Sequence, residues 1–299
     1  AIITKSGIKL FIDKGKIPKK NNPKEGFKIL ELNKFDEEII RLPKKSNILL
    51  DSSVSYFYYD LMTKSGFKPD LKSDPCEIIK SIKNNSEIKN AQKFHVCDGV
   101  ALVKFFYWLE KQRFNSFLNE INVSRKLEEI RKENKSFFSC SFDTISACGE
   151  NGSIIHYNPK QNNKKLKSGQ LYLCDSGAQY LGATTDCTRT IYLGQSKPKK
   201  EFVLNYTRVL QGHINLAMTK FPHATKGYQI DSIARYFLWQ NGMDYSHGTG
   251  HGVGSFLGVH EGPQSISKKI NKFPLTKGMI VSNEPGYYKD NKYGIRIEN

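Results

Sequence analysis

The chain has 299 residues, 38% of them hydrophobic, and a mean hydropathy of −0.52, which suits a soluble protein with one large core or two modest ones. No apolar run approaches the roughly 20 residues of a membrane span, so no membrane partner is expected. The formal charge of +17 raises nucleic acid as a partner. The lysines behind that charge are scattered through 14–28, 64–93, 160–167 and 197–200, without arginine clusters or interleaved aromatics, so they read as a solvated surface and no nucleic acid is expected.

In chain order, residues 1–60 read as short strands and turns around Ile2-Ile3, Ile8 to Ile12 and Ile48 to Leu50, with a short helix over 56–63. Pro69, Pro75 and the polar run between them read as a linker, placing a domain boundary near residue 75. From Cys76 the apolar spacing turns helical, through Ile78, Ile79 and Ile82, then Ile88, Ala91 and Phe94 to Leu109. Further helices are expected around Leu118 to Ile130, over 202–218, and over 230–239, where Asn241-Gly242 supplies a stop. Strands are expected at 138–146, 169–176, 184–193, 278–284 and 293–298. Hairpins separated by helix pairs give an α+β class rather than alternating βαβ units, and no GxGxxG, Walker or GxSxG motif is present. The six cysteines form no CxxC pair or disulfide framework, which favours a reducing compartment, the cytoplasm by default. A start at Ala-Ile-Ile-Thr and a stop at Asn299 in what reads as mid-strand suggest an internal piece of a longer chain.

The chemistry concentrates near the end. His247-Gly-Thr-Gly-His251 is followed by His260-Glu261-Gly262-Pro263. Glycines at 248, 250, 252 and 254 make a helix costly there, so the stretch is expected to be extended or looped, with glycine clearing space beside a ligand and histidine supplying a metal-binding nitrogen or a proton donor. Asp175 closes the apolar strand Leu171 to Cys174, an expensive place for a charge without compensation. A chain reversal at Tyr180-Leu181 would set Asp186 directly across from it, with Cβ atoms about 5 Å apart. Glu284 and Glu298 likewise each end an apolar strand, and the turns at Pro285-Gly286 and Asn291 to Gly294 could return Glu298 alongside Glu284. Two such pairs repel unless a divalent cation intervenes. Four carboxylates and an imidazole suit a two-metal site for Mn, Co, Fe or Zn, where ions about 3.5–4 Å apart can hold a bridging hydroxide and polarise a carbonyl. Hydrolysis is the reaction class implied.

Asp175-Ser-Gly-Ala-Gln-Tyr180, Thr184-Thr-Asp-Cys-Thr-Arg-Thr190, His247-Gly-Thr-Gly-His-Gly-Val-Gly-Ser-Phe-Leu257, Val259-His-Glu-Gly-Pro263, Glu284-Pro-Gly-Tyr-Tyr288 and Gly294-Ile-Arg-Ile-Glu-Asn299 together resemble the Xaa-Pro aminopeptidase (aminopeptidase P) family of pita-bread metallopeptidases, in its long cytosolic type. The resemblance implies that residues 76–299 form a pita-bread catalytic domain, a curved antiparallel sheet with covering helices, truncated at its C-terminal end. Residues 1–75 would be part of a small α/β middle domain. It implies metal ligation by Asp175, Asp186, His251, Glu284 and Glu298, with Asp186 and Glu298 bridging two divalent ions, Mn2+ before Co2+, Zn2+ or Fe2+. His247 and His260 would bind substrate and stabilise the tetrahedral intermediate, His156 would be a further active-site histidine, and Arg296 would orient carboxylates. Glu284 is the expected general base. The implied substrates are peptides with proline at position 2, the implied assembly a homodimer, and the implied location the cytoplasm.

Two features depart from the family pattern. Leu181-Gly182-Ala183 replaces a more polar turn, which bears on the Asp175/Asp186 register, and Cys174 and Cys187 adjoin two ligands but are expected to face away from them as packing residues. Prolidase and methionine aminopeptidase share the metal logic, and the long-type motif around His247 favours aminopeptidase P over both. An inactive relative serving as a binding module would lack the ligands, whereas all five positions here carry ligating side chains.

Overall fold

In the computed structural model, which describes residues 1–17, 26–112 and 117–299, the chain divides into two compact units, 1–76 and 77–299. Part of the lysine-bearing stretch at 14–28 lies outside the described residues. The first unit runs β1 (Ile2–Thr4), β2 (Gly7–Phe11), β3 (Phe27–Leu30), α1 (Phe35–Ile40), β4 (Leu49–Asp51), α2 (Tyr56–Lys64) and β5 (Asp70–Lys72), with α3 (Pro75–Ser81) beginning at its end. Ile39, Met62 and Phe67 are its buried centre. The expected linker at 69–75 is partly a strand instead, since β5 pairs in parallel with β4 and so satisfies its backbone groups in a ladder.

The second unit opens with α4 (Asn85–Lys111) and α5 (Glu120–Lys132). Asn84 caps α4 by accepting from the backbone N–H groups of Ser86 and Glu87 at 2.9 and 3.0 Å, while Glu87 returns a bond to the Asn84 N–H at 2.8 Å. Phe94, Ala101, Leu102, Phe105 and Leu109 then recur at helical spacing on the buried face. The last four pack with Val123, Leu127 and Ile130 of α5 in the largest core.

Strands β6 (Phe137–Cys140), β7 (Ile145–Cys148), β8 (Gln170–Ser176), β9 (Ala178–Tyr180), β10 (Ala183–Thr184) and β11 (Cys187–Leu193) form two three-stranded antiparallel sheets, ordered β11-β8-β7 and β10-β9-β6. Helices α6 (Lys200–Met218) and α7 (Gly227–Trp239) follow, then the short pair β12 (Gly250–His251) and β13 (Ser265–Ile266) and the hairpin β14 (Gly286–Lys289) and β15 (Tyr293–Arg296). Among the described residues no helix is long and apolar enough to cross a membrane.

Two expected strands take another form. The run at 138–146 is split, because β6 pairs with β9 whereas β7 pairs with β8, and Ser141 to Thr144 make the passage between sheets. The segment 278–284 is not a regular strand. Its backbone bonds go to the glycine-rich stretch instead, with Ser282 N–H donating to the His251 carbonyl at 2.8 Å and Glu284 N–H to the Thr249 carbonyl at 2.7 Å.

Beneath the β8–β9 corner, Arg131 is 1% exposed and donates to both oxygens of Asp98 at 2.8 Å. It also donates to Ser176 Oγ at 3.1 Å and to the Gly177 carbonyl at 3.3 Å, and Tyr180 donates to Asp98 at 2.8 Å. Asp98→Ala leaves the guanidinium buried without its counter-charge, and a stability loss of about 3–5 kcal/mol is expected in urea unfolding. A loss below about 1 kcal/mol would mean the corner relaxes enough to admit water.

Candidate metal centre

Asp175 sits at the buried end of β8 and Asp186 immediately before β11. Their pairing differs from the expected one by two residues. Asp175 lies opposite Thr188, and Cys187 opposite Ser176, because the chain reverses at Leu181-Gly182 with Gly182 at φ +114°, a region that favours glycine. A shift of two preserves the face, so both aspartates still line one cavity. In the β14–β15 hairpin the register extends beyond the named strands. Asn283 and Asn299 exchange backbone bonds of 2.9 and 3.3 Å, which sets Glu284 across from Glu298 at a position where side chains come closest.

At the centre, donor atoms of Asp186, His251 and Glu298 all lie within 4.8 Å of one another. His251 Nε2 stands 3.4 Å from Asp186 Oδ2 and 3.4 Å from Glu284 Oε1. Its Nδ1 faces the Gly252 carbonyl at 2.9 Å; a carbonyl can only accept, so Nδ1 carries the hydrogen and Nε2 is the nitrogen offered to the carboxylates. Thr188 donates to Glu298 Oε2 at 2.6 Å and Ser282 to Glu284 Oε1 at 3.2 Å. Arg296, 2% exposed, donates to Asp175 Oδ2 at 2.6 Å and to the Tyr288 hydroxyl at 2.6 Å. Tyr288 in turn meets His247 Nε2 at 2.9 Å.

The electrostatics are those of an anionic cluster short of positive charge. Burial, with Asp175 adding repulsion against the pull of His251, raises Asp186 to about 6. Burial raises Glu284 to about 7, with His251 and Arg296 opposing. Glu298 is pushed well above the carboxylate range by burial and by Asp186, Asp175 and Glu284. His251 is raised despite its burial, through Asp186 and Glu284. Asp175 Oδ1 and Asp186 Oδ1 are buried with no hydrogen-bond partner. Two orphaned carboxylate oxygens beside an imidazole nitrogen fit divalent cations, which would satisfy the oxygens and remove the repulsion together.

The other predicted residues surround a cavity of about 710 Å³ that the acids and His251 also line. His260 is exposed and stands edge-on to the His251 ring, with centroids 4.2 Å apart. His156 reaches the same cavity from a turn, not from the expected apolar strand, since Gly149 to Ser153 ahead of it coil into a 3-10 turn. The glycines serve a purpose other than clearance for a ligand alone. A Cβ at Gly250 would lie 1.9 Å from the Ser282 carbonyl oxygen, and one at Gly252 1.9 Å from that of Glu261, so these glycines let the backbones carrying His251, Glu284 and His260 approach one another. Sequence reasoning missed Tyr288, Thr188 and Ser282, although all three lie within or beside the ligand-bearing segments; hydroxyls next to buried carboxylates were the signal available.

Residues 89–299 match the sequence pattern of metallopeptidase family M24. The chain belongs to that family. Over 229 residues this M24 chain is 52% identical to a putative Xaa-Pro aminopeptidase of Saccharomyces cerevisiae, covering 75% of this chain and 30% of that one. Its fold matches the crystal structure of a Caenorhabditis elegans X-prolyl aminopeptidase, described as a cytosolic enzyme with a di-nuclear active site, at 35% identity and a TM-score of 0.91, over 99% of this chain and 50% of the other. It also matches a prolidase from Pyrococcus furiosus at 26% identity and a TM-score of 0.78, over 97% and 82% of the two chains. The expected pita-bread architecture is therefore the one observed. The M24 chain spans between 30% and 51% of the length of the curated relatives it matches.

Since the fold holds Asp186 near 6 and Glu284 near 7, the folded chain keeps protons that the unfolded chain releases at about pH 4. In chelator, this contribution to stability is complete below about pH 4 and is lost as pH rises through about 6 to 7. A divalent cation bound at these acids would replace those protons. Urea unfolding at several pH values should show a stabilisation by Mn2+ that widens with pH, reaching about 2.7 kcal/mol at a hundred times Kd, and that is absent in Asp186→Asn.

Proposed function

We propose that this chain carries the catalytic centre of a cytoplasmic Xaa-Pro aminopeptidase, a dinuclear metal-dependent hydrolase that removes the first residue from peptides with proline at position 2. The observation that carries the reading is the convergence of four carboxylates and His251, two oxygens of them buried and unpartnered, on a histidine-lined cavity. Asp175, Asp186, His251, Glu284 and Glu298 would hold two divalent cations, Mn2+ by preference, and the relatives' names and the di-nuclear site of the worm enzyme support this assignment. When bound, such cations supply an activated water and polarise the scissile carbonyl. The first unit is read as part of the family's middle domain, and the assembly as a homodimer.

The chain's own residues do the rest. An Xaa-Pro bond has no amide hydrogen, so recognition cannot grip one and must act on the carbonyl and the free amine, for which a carboxylate-rich cavity is the natural counterpart. Glu284, a carboxylate beside the water that such cations would hold, would accept its proton without having to move. His260 makes no hydrogen bond among the described residues, and burial together with His251 lowers its pKa, so as a neutral imidazole it can donate one N–H to the developing oxyanion. His156 lines the same cavity from the segment after the 3-10 turn. His247 is held on both nitrogens, by Gly248 and Tyr288, which makes it a fixed wall against which the peptide is positioned.

The expected result is release of the first residue from an Xaa-Pro-Yaa tripeptide with added Mn2+, and a fall of about 10²–10⁴-fold in kcat for Glu284→Gln with metal still bound. Cleavage confined to Xaa-Pro dipeptides would move the assignment to prolidase. Metal binding without cleavage of either would leave a binding protein.

A further inference from the structure

A second cavity, of about 450 Å³, lies against the first. Phe142 lines both. So does the segment after the 3-10 turn, with Ile155 and His156 in the first cavity and Asn158 to Lys160 in the second. Two separate stretches of chain thus form a shared wall, and the two cavities are adjoining compartments of one groove. α5 lines this cavity too, through Ser124, Arg125, Glu128 and Lys132, and β6 contributes Phe137 and Phe138, the latter 67% exposed.

The charges in this second compartment do not cancel. Lys132 is paired with Glu128 at 2.7 Å and Lys160 with Asp143 at 2.9 Å. Arg125 is exposed, lines the compartment and has no ion pair or hydrogen bond among the described residues. A guanidinium is the side chain best shaped to take a carboxylate with two parallel bonds, and the neighbouring phenylalanines offer apolar surface to side chains on either side of such an anchor.

We propose that this second compartment is a subsite for the downstream part of the peptide substrate, in which Arg125 engages a carboxylate. The inference rests on the peptidase reading above. The carboxylate has two sources of the same chemistry, the C-terminus of a short peptide or the side chain of Asp or Glu in a longer one. Because the reacting end of the peptide is fixed at the acids and the anchor lies beyond Phe142, the contact selects for the distance between the scissile bond and the carboxylate. It therefore acts on KM and leaves the chemical step alone.

The test is a steady-state series on the protein loaded with Mn2+, using Xaa-Pro peptides of three to seven residues, each with a free or an amidated C-terminus, and amidated peptides with a single Glu placed along the downstream part. Wild type is expected to show a KM minimum at one peptide length with a free C-terminus, or at one Glu position in the amidated set, deeper than its uncharged counterpart by about tenfold. Which set carries the minimum identifies the source. Arg125→Ala should erase the minimum while leaving kcat on the tripeptide unchanged, and salt should weaken it in wild type only. Cleavage of the tripeptide with KM indifferent to length and charge, or a minimum that survives in Arg125→Ala, overturns the inference and leaves the peptidase reading standing. No cleavage of any Xaa-Pro peptide overturns the peptidase reading and the subsite with it.

Discussion

Four carboxylates gathered in one buried cluster set the terms for the rest of this structure. Asp175, Asp186 and Glu298 are 8%, 6% and 1% exposed, and the buried cation among them is Arg296, which is already spent on Asp175 and Tyr288. Left to themselves such groups would separate or take up protons, and three of the four are indeed pushed upward. The fold must therefore hold them in place by means other than their own attraction, and it does so from behind.

Most segments that deliver a functional side chain are backed by a separate buried ion pair or polar cluster. Arg131 and Asp98 clamp Ser176 and Gly177, directly after Asp175. Arg235, bound to Asp231, donates to the carbonyls of Tyr245 and His247 at 2.6 and 2.9 Å. Lys83 meets Glu261 at 2.9 Å beside His260. Glu120 accepts from the Cys148 N–H, Asn151, Tyr157 and the Lys164 N–H, tying down both ends of the segment that carries His156. His213 reaches the Asn283 carbonyl at 3.0 Å and Asn299 at 3.2 Å, bracing the strand ends beside Glu284 and Glu298. Buried charges of this kind add little net stability over apolar packing. What they give is position, since each fixes a backbone carbonyl or N–H with a directional bond that apolar contacts cannot supply.

This division explains what could be read from the sequence. Acids closing apolar strands, and histidines among glycines, announce themselves locally, because an unfavourable residue in a strand asks for a reason. The Glu284–Glu298 pairing followed from two turns close in sequence, and the Asp175–Asp186 pairing missed by two residues because the reversal falls one residue later, at Leu181-Gly182. The supports were not legible. Asp98 and Arg131 are 33 residues apart and Lys83 and Glu261 are 178 apart, and although Glu261 stands in the motif with His260, nothing local pairs either acid with its distant cation. The segment at 278–284 looked like an ordinary strand because Met279 to Val281 form a short apolar run, but its partner is a run of glycines and histidines that periodicity cannot register as a strand.

The hydrogen bonds of the outer shell also carry a direction that the residue types alone do not reveal. Arg296 can only donate, so the Tyr288 oxygen accepts from it and its own hydrogen is left for His247 Nε2. The Gly248 carbonyl can only accept, so His247 Nδ1 donates at 2.7 Å. Burial, with Arg296 close by, lowers His247 to about 3, and burial lifts the Tyr288 hydroxyl to about 12 against the pull of Arg296, so neither group changes charge near neutral pH. The bonds from Arg296 through Tyr288 to His247 therefore have one orientation, and that orientation is anchored at Asp175. The direction is fixed at both ends, by Arg296 and by the Gly248 carbonyl, so His247 is held on the cavity wall in one tautomer. The site is thus organised from its least tolerable feature outward, with the carboxylate cluster at the centre, Arg296 bound to it at Asp175 and a neutral histidine held in one orientation on the cavity wall.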